Sequence, residues 1–300
     1  MTLWIPITLA AALFQTLRFM LQRQLSLGTL SAGGATLARF MYSAPLVAVL
    51  IVIYMAASGQ DWPRFGATFW AYGAAGGLAQ ILATVATVLL FQARNFAVGI
   101  TFKKTEVMQA VLVGWVLLGD TVSGLGFAAI GLGLVGVLLL SAPPELVRVG
   151  WRDMANRSVG LGLGAGLLFA VSGVCYRGAS LSLGLEDPLA RAGLTLSAVT
   201  AMQLVAMMIW LRWRDPGQVS AVWGARRVAV WVGLMSMLGS FCWFTAFTLQ
   251  NAAYVNAVGQ VELVFSALAS VIVFREAISG REWLGMGVLL GSILMLIVVI

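Results

Sequence analysis

A chain of 300 residues that is 61% hydrophobic and only 10% charged, with a mean hydropathy of +0.97, lacks the polar surface a water-soluble domain needs. Its net charge of +7 would suggest nucleic acid in a soluble protein, but here the arginines collect at the ends of apolar runs, where they set membrane topology, and no nucleic-acid partner is expected. The absence of histidine removes HExxH metalloproteases, His-dependent acyl transfer and most zinc chemistry, so neither a metal nor a cofactor is expected.

Apolar runs of about 17–25 residues recur from end to end, each long enough to cross the roughly 30 Å hydrocarbon layer as a helix. They predict an all-α membrane protein of ten transmembrane helices, with the lipid bilayer as its solvent. Met1-Thr2-Leu3-Trp4 has no charged n-region, so the first span, 4–25, is expected to be its own insertion signal. That span carries Gln15, Arg18 and Gln22 at spacings of three and four, a polar stripe along one face. In span two, 33–56, Arg39 falls near the start, within reach of the interface by snorkelling or of a static salt bridge. Span three, 66–92, offers Gly73 and Gly77 for close helix contact.

Span four, 96–118, contains the only lysines in the chain, side by side in "ITFKKTEVM". An ionisable group near the centre of a spanning helix costs about 2.5–3.5 kcal/mol, so each needs a partner or a wet cavity. Lys103 and Glu106 share a face, while Lys104 points about 100° away. An intrahelical Lys103–Glu106 bridge would neutralise that pair but leave Lys104 unexplained. Lining a central cavity accounts for all three. Span five, 122–141, follows the acid-containing turn at Asp120.

The polar, proline-containing interval 142–157 separates a first five-helix repeat, 1–141, from a second, 158–300. Span six, 159–181, opens on the packing glycines of "GLGLGAG" and carries Ser172, Tyr176 and Arg177. Span seven, 189–211, begins near Arg191, which is expected to snorkel or form a static bridge as Arg39 does. In span eight, 228–249, Trp243 and Phe244 lie deep, as bundle core or as a cavity wall for an apolar or cationic group. Trp4, Trp62, Trp151, Trp213 and Trp223 fall at span ends and read as an interfacial belt. Cys175 and Cys242 lie within spans as small packing residues. Span nine, 252–274, puts Asn256 and Gln260 on one face and Glu262 near mid-depth, as a partner to Arg18 or Arg177 or as a proton-coupling site. Ser279 and Glu282 read as a capping box opening span ten, 282–300, and Gly287 with Gly291 as a packing surface.

The second half overlays the first at an offset of 156 residues: "NFAV" (95–98) falls on "NAAY" (251–254), Glu106 on Glu262 and "LGDTVSG" (118–124) on "FREAISG" (274–280). An odd number of helices per repeat turns the second copy over in the membrane, which predicts two inverted repeats with a site near the midplane. Loops after odd-numbered spans carry ten arginines, from Arg94 to Arg281, against Arg64 alone after even-numbered spans. The positive-inside rule then puts both termini outside the cytoplasm of a multi-pass protein of the cell (inner) membrane.

The segments "GWVLLGDTVSGLGFAAIGLGLVGVLLL" (114–140) and "SVIVFREAISGREWLGMGVLLGSILML" (270–296) resemble the two repeat ends of the drug/metabolite transporter superfamily, particularly its ten-helix EamA-type members. Most members compared carry glutamate in both acid-containing turns, whereas this chain has Asp120 and Glu276. The resemblance implies export of amino acids or other small metabolites, with relatives that exchange sugar phosphates or nucleotide sugars. Arg18, Lys103, Lys104 and Arg177 against Glu106 and Glu262 give the expected cavity an excess of two positive charges. That predicts an alternating-access exporter of a small anionic or zwitterionic, amino-acid-like metabolite, with no catalytic residues and with Gln15, Tyr176, Asn256, Gln260 and Trp243 completing the site. An organophosphate or nucleotide-sugar exchanger is the alternative substrate reading, and a membrane enzyme or a channel the alternative class. Proton coupling through Glu106 or Glu262 stays open.

Overall fold

A computed structural model of the protein describes residues 3–28, 30–91, 96–141, 157–269 and 279–299. The predicted linker up to residue 156, Asn95, Trp151, Glu276 and the topological arginines Arg94, Arg148, Arg152 and Arg275 lie outside them. The first half comprises α1 (Trp4–Ser26), α2 (Ala32–Ser58), α3 (Ala67–Phe91), α4 (Phe96–Lys103), α5 (Glu106–Leu118) and α6 (Gly124–Ser141). The second comprises α7 (Arg157–Leu181), α8 (Pro188–Arg214), the short α9 (Gln218–Gly224), α10 (Arg226–Leu249), α11 (Ala252–Gly259), α12 (Glu262–Ala269) and α13 (Gly280–Val299). Among the described residues, eight of these helices are long and apolar enough to cross a membrane. The all-α membrane class is as expected.

Helix ends follow local chemistry. Ser31 caps α2 by accepting from the Gly34 N–H at 3.2 Å, and Asp187 caps α8 from the Leu189 N–H at 2.8 Å, with Pro188 in the first turn. Asn251 does the same for α11 through Ala253. The Ser279–Glu282 capping box forms in both directions at the start of α13, as predicted. Gly119 ends α5 at φ +68°, a left-handed conformation in which most other residues would be strained.

Spans four and nine are the departure from expectation. Each was predicted as one helix, and each is two. Span four breaks between α4 and α5 at Lys104-Thr105, and span nine breaks between α11 and α12 at Gln260-Val261, positions 156 residues apart. The same pair of backbone hydrogen bonds turns the chain at both. Lys104 N–H bonds to Thr101 O and Gln260 N–H to Ala257 O, both at 3.2 Å; Thr105 N–H bonds to Phe102 O and Val261 N–H to Val258 O, at 3.2 and 3.1 Å. These are i→i+3 bonds, a tightened turn that ends one helix before the next begins. Neither break contains proline, so unbroken hydropathy hid them.

Packing exchanges partners between the halves. The first helix of the second half, α7, lies against α3, α4 and α5, while the first helix of the first half, α1, lies against α10, α11 and α12. The closing helices α6 and α13 pack on each other, as do α2 and α8. The α6–α13 contact is close because glycines meet backbone: a Cβ on Gly136 would lie 2.7 Å from Leu289 N, and one on Gly285 2.9 Å from Leu140 N. Ser292 Oγ donates across this contact to Ala129 O at 2.7 Å. Gly287 and Gly291, predicted as the packing pair of this helix, face open space instead, because it is Gly285 that turns toward α6.

A cluster of charged and polar side chains is buried among apolar core residues, and the outer helix faces are apolar. Arg18, Arg39, Lys103, Lys104 and Glu262 are buried, whereas Val116, Ile209, Leu294 and Val298 are exposed on the outer faces of their helices. Water would make that outer surface an aggregation hazard, and lipid makes it a solvated one. Trp62, Trp213 and Trp223 stand exposed at helix ends, as an interfacial belt requires. Trp4 does not: it is 4% exposed, packed into the apolar core that α5, α6 and α10–α13 share. Cys175 is buried and Cys242 half-buried, both free thiols.

Candidate functional site

The two breaks meet at a cavity walled by α1, α2, α7, α10 and both broken spans. The charges beside each break match the half-helix ends they touch. A helix carries a partial positive charge at its N-terminus and a partial negative one at its C-terminus. Glu106 is the first residue of α5 and Glu262 the first of α12, so each carboxylate caps a positive end. Lys103 closes α4 and Lys104 follows it, placing cations at a negative end.

At the second break, Gly259 and Gln260 stand where the first has Lys103 and Lys104, so that break holds no cation of its own. Lys104 supplies one from across the interface by pairing with Glu262 Oε1. Glu262 Oε2 also accepts from Gln15 Nε2 at 2.6 Å, so its carboxylate is held from both sides. The partners predicted for Glu262, Arg18 and Arg177, are not the ones it takes. Lys103 keeps to its own break, 3.7 Å from Glu106 Oε2, with its ammonium 4.7 Å from the Phe169 ring centroid. The adjacent lysines therefore serve one break each.

Gly166 on α7 lets this happen. A Cβ there would lie 2.8 Å from Lys103 O and 3.3 Å from Glu106 N, so only glycine permits α7 to seat against the first break.

Of the predicted site residues, Gln15, Arg18, Lys103, Glu106, Tyr176, Trp243, Asn256, Gln260 and Glu262 line this one cavity, and Lys104 joins it through Glu262. Arg18 donates to Gln22 Oε1 at 3.1 Å and lies 4.2 Å from the Phe19 ring centroid. The Tyr176 hydroxyl lies 3.0 Å from Gln80 Oε1, accepts from Gln203 Nε2 at 3.3 Å, and its ring stacks on Phe244 with centroids 4.2 Å apart. Trp243 stacks on Phe247 at 5.6 Å, which makes an aromatic wall. Among the described residues, Asn256 Nδ2, Gln260 Oε1 and Trp243 Nε1 are buried without protein partners, which leaves hydrogen-bonding capacity in the cavity.

Arg177 is the exception among the predicted residues. Its Nε donates to Asp120 Oδ2 at 2.9 Å, and its Nη1 donates to Phe247 O and Gln250 O at 2.9 and 3.0 Å. It caps the C-terminal end of α10 and ties it to the Asp120 turn. This is a structural position, made favourable by the negative helix end.

Arg39 takes its place in the cavity. Sequence placed it within snorkelling distance of the interface, but every residue from Ala32 to Phe40 is buried, so its guanidinium has no route to the headgroups. The signal was the small-residue start "AGGATLAR", which marks a helix packed on all sides where it begins. Arg39 donates to Ser236 Oγ at 2.8 Å, Ser240 Oγ at 3.0 Å and Thr84 Oγ1 at 3.4 Å. Among the described residues no carboxylate lies within 4.0 Å of Arg18 or Arg39. With Arg39 replacing Arg177, the count stays at four cations against two carboxylates.

Residues 156–298 match the model of the EamA-like transporter family. A protein of known crystal structure aligns with 99% of this chain and 97% of its own at a TM-score of 0.69 and 15% sequence identity, which shows a shared fold. No curated protein sequence matches the chain.

Proposed function

We propose, from the match of residues 156–298 to the EamA-like transporter family model, that this multi-pass membrane protein is a transporter that exports a small anionic or zwitterionic, amino-acid-like metabolite by alternating access. One observation carries the reading. Two helix breaks at matching backbone positions converge on a cavity lined by Arg18, Arg39, Lys103, Glu106 and Glu262, with Lys104 paired to Glu262. Two half-helix ends meeting at a polar centre is the arrangement by which transporters hold solutes in the middle of the bilayer, because unpaired backbone there is tolerable only beside a cavity. The positive excess favours a negative group on the solute, and the aromatic wall of Tyr176, Phe244 and Trp243 suits an apolar side chain next to it. The two repeats, 1–141 and 158–300, would be the bodies that rock, in a cytoplasmic membrane with both termini outside.

The test is counterflow in proteoliposomes loaded with amino acids, organic acids or phosphorylated sugars. A carrier accelerates uptake when the same solute is present on the far side, and a channel does not. Lys103→Ala should remove that uptake, since its ammonium faces the cavity and its ion pair is loose. Uptake equal to the parent protein's would make Lys103 structural and sink the site assignment.

A further inference from the structure

The surroundings of Arg39 go further than a cavity charge. Many buried hydroxyls in the bundle satisfy themselves by donating to the carbonyl one turn back, as Ser43 to Arg39 O, Thr87 to Ala83 O, Thr200 to Leu196 O and Thr245 to Phe241 O do. Thr84, Ser236 and Ser240 do not. Each accepts from Arg39, and among the described residues none of their hydroxyl protons has a protein acceptor. Three of the five N–H groups on the guanidinium are thereby occupied and two are left over. Arg39, Ser236 and Ser240 all line the cavity, and all four side chains are buried, at 4% exposure or less except Ser240 at 6%.

The cluster therefore has donors to spare beyond the three hydroxyl oxygens that accept from Arg39 and, among the described residues, no counter-ion within 4.0 Å. A buried guanidinium without a counter-charge is costly, and removing the cost requires an anion with several acceptor sites. Ser236 and Ser240 are one helical turn apart on α10, so their hydroxyls reach the same point from one face. A planar carboxylate, with two oxygens and about four lone-pair directions, matches two guanidinium N–H groups and two hydroxyls.

We propose that Arg39, with Ser236 and Ser240, is the carboxylate-binding end of the transport cavity. The unpartnered Asn256 Nδ2, Gln260 Oε1 and Trp243 Nε1 then receive the remainder of the solute. The proposal rests on the transporter reading above and assigns one pole of its substrate.

The experiment is a thermal-shift panel on the purified full chain with the L-amino acids, their C-terminal amides and inorganic phosphate as probes, because binding to the folded state raises its melting point. At least one free amino acid should raise the melting point while its amide, which has lost the charge, does not. Arg39→Gln should weaken that response at least about tenfold in ligand concentration, the usual scale for a hydrogen bond to a charged group. The paired change Ser236→Ala with Ser240→Ala leaves the guanidinium in place and should weaken it by a smaller factor, which gives a second reading if Arg39→Gln does not fold. An unchanged response in both variants would overturn the assignment of this pole and leave the transporter reading intact. Equal responses to acid and amide would overturn the carboxylate. A response to phosphate alone would move the site to phosphorylated solutes, against the carboxylate. A panel with no response at all, together with absent counterflow, would remove the amino-acid reading and this inference with it.

Discussion

Pairing between Lys104 and Glu262 makes a sharp energetic prediction. Their side chains are 3% and 11% exposed, so removing one partner strands a largely buried charge. Lys104→Met should cost about 3–5 kcal/mol, the usual penalty for half of a buried pair. Glu262→Gln keeps the shape and an acceptor for Gln15, yet leaves Lys104 without a counter-charge, so its cost should fall near the lower end of the same range. The double change removes both charges and still lets the residue 262 amide oxygen take the Gln15 hydrogen bond. It should cost less than either single change, since replacing a whole buried pair is often close to neutral. The coupling in this double-mutant cycle should then be at least about 3 kcal/mol. Reversible unfolding of purified protein in mixed micelles with rising SDS measures all four species. Single changes within about 1 kcal/mol of the parent, or a double cost equal to the sum of the singles, would refute the cross-break pairing.

Three further outcomes follow from particular contacts. Gly166→Ala should destabilise by about 1–3 kcal/mol through overpacking against Lys103 O, while Gly164→Ala, which faces open space, should not; thermal unfolding separates them. Arg177→Gln should lose about 1–3 kcal/mol, because Asp120 and two carbonyls at the end of α10 lose their donor, and should leave ligand affinity as it was in the same thermal-shift panel. At Asp187, burial alone would raise the carboxyl pKa, but hydrogen bonds from Tyr54 (2.6 Å), Gln60 (2.9 Å) and the Leu189 and Ala190 N–H groups outweigh it and hold the pKa below the ordinary value. A depressed folded-state pKa means that the stabilisation is present above the unfolded pKa, near pH 4, and is lost as pH falls through the folded value. The melting point should fall across that window by less in Asp187→Asn than in the parent, and identical pH profiles would show that this cap contributes nothing.

Much of the fold could be read from hydropathy, because a chain in lipid must satisfy its backbone within helices and the period and length of its apolar runs leave few alternatives. Most of the polar cluster was legible for the same reason: Lys103, Glu106, Asn256, Gln260 and Glu262 are expensive where they stand, and that expense marks them. What hydropathy did not carry was geometry at the scale of a turn. The breaks at Lys104-Thr105 and Gln260-Val261 use ordinary residues and one tightened set of hydrogen bonds, with no proline to announce them. Arg39 and Arg177 exchanged their expected places because burial of a helix start depends on its neighbours and not on its distance from the run's edge. Arg39 sits two turns into a helix whose opening is enclosed, and Arg177 lies where α10 ends.

The neighbouring lysines also have a mechanical meaning. One ammonium stays with its own segment while the next reaches over to the opposite one, so the two helix breaks are tied through a single peptide bond. If the carrier works as proposed, straightening or tilting either segment would drag on the other. In the proposed transport cycle, independent movement of the two sides would open a leak, and one dipeptide would oppose it.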